Sequence, residues 1–172
     1  MDGPERRNRI KEILFNSPGP VTGSELAAKY RVSRQVIVQD IALLRASGVD
    51  ILATPQGYML AAAMLGTKIQ KTIAVKHNFQ ELETELNIIV DNGAKVLDVI
   101  VEHPLYGELK GMLMLSSRRE VGEFVKNLRK TNAQPLSVLT EGIHLHTVEA
   151  DSPQIIEMIE RDLEEAGILL NK

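Results

Sequence analysis

The residues richest in chemistry are the four histidines, His77, His103, His144 and His146. His144 and His146 stand two apart in Ile143-His144-Leu145-His146-Thr147. On a strand, alternate side chains share a face, so the two imidazoles lie together while Ile143, Leu145 and Thr147 point the other way. Such a pair is either a surface pair or half of a metal site. His77 closes a strand-like run just before a helix. Asn78 and Glu81 have the spacing of a helix cap with its reciprocal carboxylate, which would occupy Glu81. Glu85 lies one turn further along the same face. Helical side chains lean toward the N-terminus, so Glu85 could reach back toward His77. That contact is either an ordinary hydrogen-bonded pair or the second half of the site, with Glu81 and Glu85 as rival carboxylates. His103 sits in His103-Pro104-Leu105-Tyr106-Gly107, where Pro104 and Gly107 predict a bend. It is either a turn residue or a group touching a ligand beside the metal.

The elements that position these residues follow from periodicity. Residues 68 to 76 read as a strand. Phe79, Leu82, Leu86 and Ile89 mark a helix that ends at Asp91-Asn92-Gly93. Val96 to Val101 and Lys110 to Leu115 read as strands. Val121, Phe124, Val125 and Leu128 share one face of a second helix, Leu136 to Val148 is extended, and Ile155, Met158, Ile159 and Leu163 give a last helix. Strand, helix, two strands, helix, strand predicts a ferredoxin-like α+β sandwich of split βαβ units, with the final helix extra.

The first 66 residues read differently. Ile10, Ile13 and Leu14 lie on one helical stripe, which Ser17-Pro18-Gly19-Pro20 ends. Thr22 and Glu25 have capping-box spacing ahead of a short second helix. Ser33 caps a third helix with Ile37, Ile41 and Leu44 on its inner stripe, and Ser47-Gly48 stops it. Two short strands around Thr54-Pro55-Gln56-Gly57 complete a winged helix-turn-helix. Its third helix can enter a DNA major groove. Ser33, Arg34, Gln35 and Gln39 are its early outward residues. Arg suits guanine and Gln suits adenine. Arg31 and Arg45 are placed for phosphates, and the wing could touch backbone through Gln56 or Tyr58. The fold expected is therefore a two-domain α/β chain, with a winged helix-turn-helix over 1–66 and the sandwich over 67–172.

Composition bounds the rest. The chain has 172 residues, 44% apolar and 25% charged, which predicts packed cores and not disorder. It has no Cys, which excludes disulfides, thiolate zinc sites and a cysteine nucleophile. Residues 1–66 hold 8 basic and 6 acidic side chains, whereas 67–172 hold 12 and 17, as two modules with different partners would. The polar N-terminus shows no signal peptide, and the longest uncharged run, Ile51 to Thr67, is interrupted by Pro55, Gln56 and two Gly. A cytoplasmic protein without a membrane span is expected.

Ser24 to Ile41, above all Val32-Ser33-Arg34, Ile37, Asp40-Ile41 and Leu44, resembles the helix-turn-helix of bacterial repressors and bifunctional biotin ligases, with Val38 a departure from the usual polar residue. Lys76-His77-Asn78, Val101-Glu102-His103-Pro104-Leu105-Tyr106-Gly107 and Gly142-Ile143-His144-Leu145-His146 resemble the 3H domain, which is named for its histidines. The combination resembles the nicotinate-responsive repressors of NAD biosynthesis and niacin uptake genes, the NiaR family. The resemblance implies a divalent metal at His77, Glu85, His144 and His146, nicotinic acid as co-repressor, and a homodimer on palindromic operator DNA. Three imidazoles and a carboxylate suit Zn, Ni, Co or Fe, not Ca or Mg. His103, Tyr106, Arg118 and Arg119 are the expected effector contacts, an Arg being able to clamp a carboxylate bidentately. Two rivals remain: a repressor that senses the metal itself, and a metal-dependent hydrolase. The second module shows neither a Gly-rich phosphate loop nor a serine elbow, so no enzyme is expected.

Overall fold

The computed structural model describes residues 2–64 and 68–170. The chain divides into two compact units, Met1–Gly66 and Thr67–Lys172. The division at 66/67 lies outside the described residues.

In the first unit α1 (Gly3–Asn16) is capped by Asp2, whose side chain accepts from Glu5 N. α2 (Gly23–Tyr30) begins with the reciprocal Thr22/Glu25 box, and α3 (Arg34–Ala46) is capped by Ser33 accepting from Val36 N. Arg31, at φ 53, turns the chain between them. β1 (Ile51–Thr54) and β2 (Gly57–Leu60) form the wing, and a single antiparallel bridge from Val21 to Tyr58 ties it to the loop before α2. Ile10, Leu14, Leu26, Ile37, Ile41 and Leu44 make one buried cluster under the three helices. Asp40 faces that core, 2% exposed. It accepts from Arg6 Nε at 2.6 Å and from Arg7 NH1 at 3.4 Å, so a buried charge on the third helix is neutralised by the first.

The second unit runs β3 (Ile69–Lys76), α4 (Leu82–Asp91), β4 (Lys95–His103), β5 (Gly107–Leu115), α5 (Arg118–Thr131), β6 (Ile143–Ala150) and α6 (Pro153–Glu165), with 3-10 turns at Phe79–Glu81 and Leu136–Thr140. The sheet is antiparallel throughout in the order β3-β6-β4-β5. Parallel β3 and β4, joined by α4, have β6 between them. Parallel β5 and β6, joined by α5, have β4 between them. The two split βαβ units interleave as expected, but the order corrects the ferredoxin-like reading. In that fold the first and third strands are central, whereas here the second and fourth are. The expected extended run over Leu136 to Val148 is also corrected. Its first five residues, after Pro135, wind into a 3-10 turn, and left-handed Glu141 and Gly142 turn the chain back into β6. The free edge of β3 is closed by residues after α6, with Lys76 N donating to Ile168 O and Leu170 N to Ala74 O.

The sheet and helices enclose a core that includes Val75, Leu86, Ile89, Val96, Leu115, Val148, Ile159 and Leu163. In β6 the buried positions are His144, His146, Val148 and Ala150, while Ile143 is 44% exposed. The histidine pair therefore occupies the inner face. Among the described residues no helix is long and apolar enough to cross a membrane.

Candidate metal centre

The first turns of α4 bury Leu82, Glu85, Leu86 and Ile89 on one stripe, so a carboxylate sits where the pattern calls for an apolar residue. Glu85 is fully buried. Burying a lone carboxylate is costly, so its partners matter. Glu85 Oε2 lies 2.6 Å from His77 Nε2 and 3.4 Å from His144 Nε2, and Oε1 lies 2.9 Å from His146 Nε2. Register explains the meeting. His144 pairs with Val75 and His146 with Ile73, so both imidazoles project beside the end of β3, where His77 leaves the strand and α4 begins. Glu81 is committed elsewhere: it exchanges hydrogen bonds with the Asn78 cap at 3.1 and 3.2 Å. Glu85 is thus the carboxylate among the histidines.

The other ring nitrogens fix the chemistry. His77 Nδ1 is 2.7 Å from Asn78 O, His144 Nδ1 is 2.9 Å from Gly142 O, and His146 Nδ1 is 2.5 Å from Asp98 O. A carbonyl can only accept, so each Nδ1 carries the hydrogen. In a neutral ring Nε2 is then a lone pair. Three such lone pairs and a carboxylate converge, and His146 Nε2 and Glu85 Oε1 have no hydrogen-bond partner despite their short separation. Four acceptors facing one another need a cation or protons between them. Backbone carbonyls on the outer nitrogen are also the usual support of a metal-bound imidazole. The donor set fits a first-row divalent ion, and the donor atoms of His77, Glu85 and His144 lie within 4.8 Å of one another.

Without an ion, protons must do this work. Burial by itself would raise the Glu85 pKa, but His146, His144 and His77 outweigh it and hold the carboxyl well below its ordinary value. For His77 and His146 burial pulls downward, yet the Glu85 charge and hydrogen bonds prevail and both are raised.

Two backbone features set the carbonyls. β4 and β6 shift register between Val96 and Ile100, which turns Asp98 O toward His146, and Asp98 Oδ1 accepts from Thr147 N at 2.8 Å. Gly142 adopts φ +91, and a Cβ there would lie 2.4 Å from His77 O. Only glycine fits, and its carbonyl accepts from both His144 Nδ1 and His77 N. A cleft of about 540 Å³ opens beside this point, lined by Lys76, His77, Asn78, Phe79, Pro135, Ser137, Val138, Glu141 and Gly142.

None of the four expected effector residues lines that cleft. His103 Nδ1 accepts from Leu105 N and Tyr106 N at the β4–β5 turn, with the Tyr106 ring 5.0 Å from its own. Arg118 makes a bidentate pair with Asp91 at 2.6 and 2.5 Å, and Arg119 pairs with Glu123. The nine residues of β5 separate Tyr106 from Arg118, roughly 27 Å of strand. The four residues therefore cannot close on one pyridine-sized ligand within a subunit. Lys76, next to His77, and Phe79, in the 3-10 turn before α4, line the cleft instead.

In the first unit Arg31, Ser33, Arg34, Gln35 and Gln39 are exposed. The two other expected DNA contacts each carry an intramolecular hydrogen bond, Arg45 while exposed and Gln56 while half-buried. Arg45 Nε donates to Ile51 O at 2.9 Å, and Gln56 is tied to Thr54 within the wing turn.

Comparison with known proteins locates both units. Residues 6–59 match a helix-turn-helix (HTH) domain family, and residues 70–172 match the 3H domain family. The chain is 46% identical to the "Probable transcription repressor NiaR" of Thermotoga maritima over 98% of its length and 95% of that protein. It is 48% identical to the "Transcription repressor NadR" of Bacillus subtilis over 98% of its length and 94% of that protein. Both relatives carry the names of repressors, and neither is named an enzyme.

Proposed function

The chain belongs to the 3H-domain family of NiaR- and NadR-type transcription repressors, and on that premise we propose that it is a repressor of NAD biosynthesis and niacin uptake genes with nicotinic acid as co-repressor and a divalent metal in its second domain. One observation carries the metal: three Nε2 atoms converge on the buried Glu85 while every Nδ1 is held by a backbone carbonyl. His77, Glu85, His144 and His146 would hold the ion. When bound, it supplies a Lewis-acidic centre that neutralises Glu85 and can accept a carboxylate or a pyridine nitrogen. Lys76 places a positive charge at the cleft and Phe79 an aromatic wall, a match for a small aromatic acid. Gly142 belongs both to the cleft wall and to the support of His144, so a ligand there touches the same loop that orients the metal site.

Operator binding as a homodimer follows from the family reading, since two-fold repressors read half-sites about a helical turn or its multiple apart. A coupling of roughly 1–3 kcal/mol between effector and DNA suffices for regulation. A metal-sensing repressor is the second reading. It is favoured by the burial of the donors, whose side chains are only 0–3% exposed and leave little approach to the ion. Band shifts of the full chain on operator DNA separate the two. The proposal expects nicotinic acid to raise the affinity of metal-loaded protein and nicotinamide not to. Full affinity with metal alone selects the metal sensor.

A further inference from the structure

Arg34 opens α3, the position from which a recognition helix reads bases. Its side chain is placed otherwise. A Cβ built on Gly23 would lie 3.7 Å from Arg34 Cγ, 3.6 Å from its Nε and 3.4 Å from Tyr58 Cε2. The arm of Arg34 thus runs back over the first residue of α2, close to the wing tyrosine. The same residues line a cleft of about 210 Å³ that continues through Ser24 and Gln56. A cleft of that size is large enough to admit a phosphate group. Arg34 is exposed and has no hydrogen bond or ion pair among the described residues. In helix-turn-helix docking the helix before the recognition helix crosses the DNA backbone. A guanidinium lying between that helix and the wing stands on the backbone side of the interface. Gln35 and Gln39 remain exposed on α3 and free to face the groove.

We propose that Arg34 grips a backbone phosphate of the operator in the cleft between α2 and the wing, and so sets register without reading a base. The assignment rests on the operator-binding reading above. It is tested with the full chain on two duplexes of equal length, one selected from a random pool by the wild-type protein and one scrambled. Binding is followed across about 50–300 mM salt. Arg34→Ala should weaken both duplexes by the same factor, about tenfold or more. It should also reduce the slope of log K against log salt by about 0.9, one phosphate's worth. Arg34→Lys should recover most of the affinity and slope, because phosphate accepts a point charge. A specificity ratio that falls roughly 5- to 150-fold at one base position, unrescued by Lys, makes Arg34 a base reader and overturns the assignment. Unchanged affinity in the alanine variant overturns it too. A wild-type chain that binds neither duplex, or both equally, fails the repressor reading itself and the assignment with it. Equal melting temperatures for the variants exclude misfolding as the cause.

Discussion

Gly142→Ala is the sharpest perturbation of the histidine cluster that leaves every donor residue in place. Two costs add. A non-glycine residue at φ +91 is strained by about 1–2 kcal/mol or more. The new Cβ would also sit 2.4 Å from His77 O, so the two segments must part by at least 0.6 Å to reach the 3.0 Å that real Cβ atoms respect. Such overpacking costs about 1–3 kcal/mol, giving a total near 2–5 kcal/mol. The segments that part are the ones joined by Gly142 O, which accepts from His77 N at 3.4 Å and His144 Nδ1 at 2.9 Å. Both imidazoles lose their setting, and zinc affinity should fall about 10- to 100-fold, as when other carbonyl supports of a metal histidine are removed. Gly93→Ala is the control. It has a similar φ of +82, but its Cβ would meet nothing within 4 Å. It should cost only the backbone strain, about 1–2 kcal/mol, and leave zinc affinity unchanged. Thermal melts and competition of zinc against a chromophoric chelator measure both quantities. A melting shift of about 4 °C per kcal/mol is expected for a unit of this size. A folded Gly142→Ala chain that binds zinc as tightly as wild type refutes the role given to the Gly142 carbonyl.

Three further outcomes follow. His77 and His146 have raised values in the folded, metal-free protein, so their stabilisation is complete below their ordinary value near 6.5 and is lost as pH climbs through the raised values. Glu85 has a lowered value, so its contribution is present above its ordinary value and is lost only as pH falls through the depressed one. Chelator-stripped protein should therefore melt at lower temperature at pH 8 than at pH 6, and the opposite order in a pH series of melts contradicts the proton-held cluster. Zinc binding near pH 7 should release protons from the same two histidines, read by calorimetry in buffers of different ionisation enthalpy; a binding heat independent of buffer argues against it. Asp40→Ala removes the buried partner of Arg6 and Arg7 and should destabilise the first unit by about 3 kcal/mol while zinc affinity stays unchanged, and a stability loss near zero would show that the ion pair holds nothing.

What could be read from the sequence was local. The Thr22/Glu25 and Asn78/Glu81 boxes are visible because both partners lie three residues apart, which assigns Glu81 to a cap and leaves Glu85, four residues on, for the histidines. Alternation placed His144 and His146 on one face of a strand. It could not say that this face is the inner one, because burial depends on α4 packing over β6's neighbour in the sheet. Strand order was illegible for the same reason: β6 enters between β3 and β4 through pairings from 45 residues apart in sequence (Ile100 with Leu145) to 81 (Ile69 with Ala150). Arg118 looked like a free anion clamp, yet its partner Asp91 is 27 residues away across the fold. Asp40 belonged to the quoted helix-turn-helix pattern without a reason, and the reason is Arg6, 34 residues upstream. Lys76 and Phe79 joined one cleft only once the 3-10 turn at Leu136–Thr140 folded against the end of β3.

The most direct test of the metal-dependent niacin sensor is calorimetric titration of nicotinic acid into zinc-loaded and chelator-stripped protein, with nicotinamide as the control ligand. The proposal predicts that the acid binds the loaded protein at one site per subunit, that stripping abolishes binding, and that the amide is silent. Acid binding that survives stripping would separate the effector from the histidine cluster. No binding of the acid in either state would contradict the niacin reading and leave the metal as the signal.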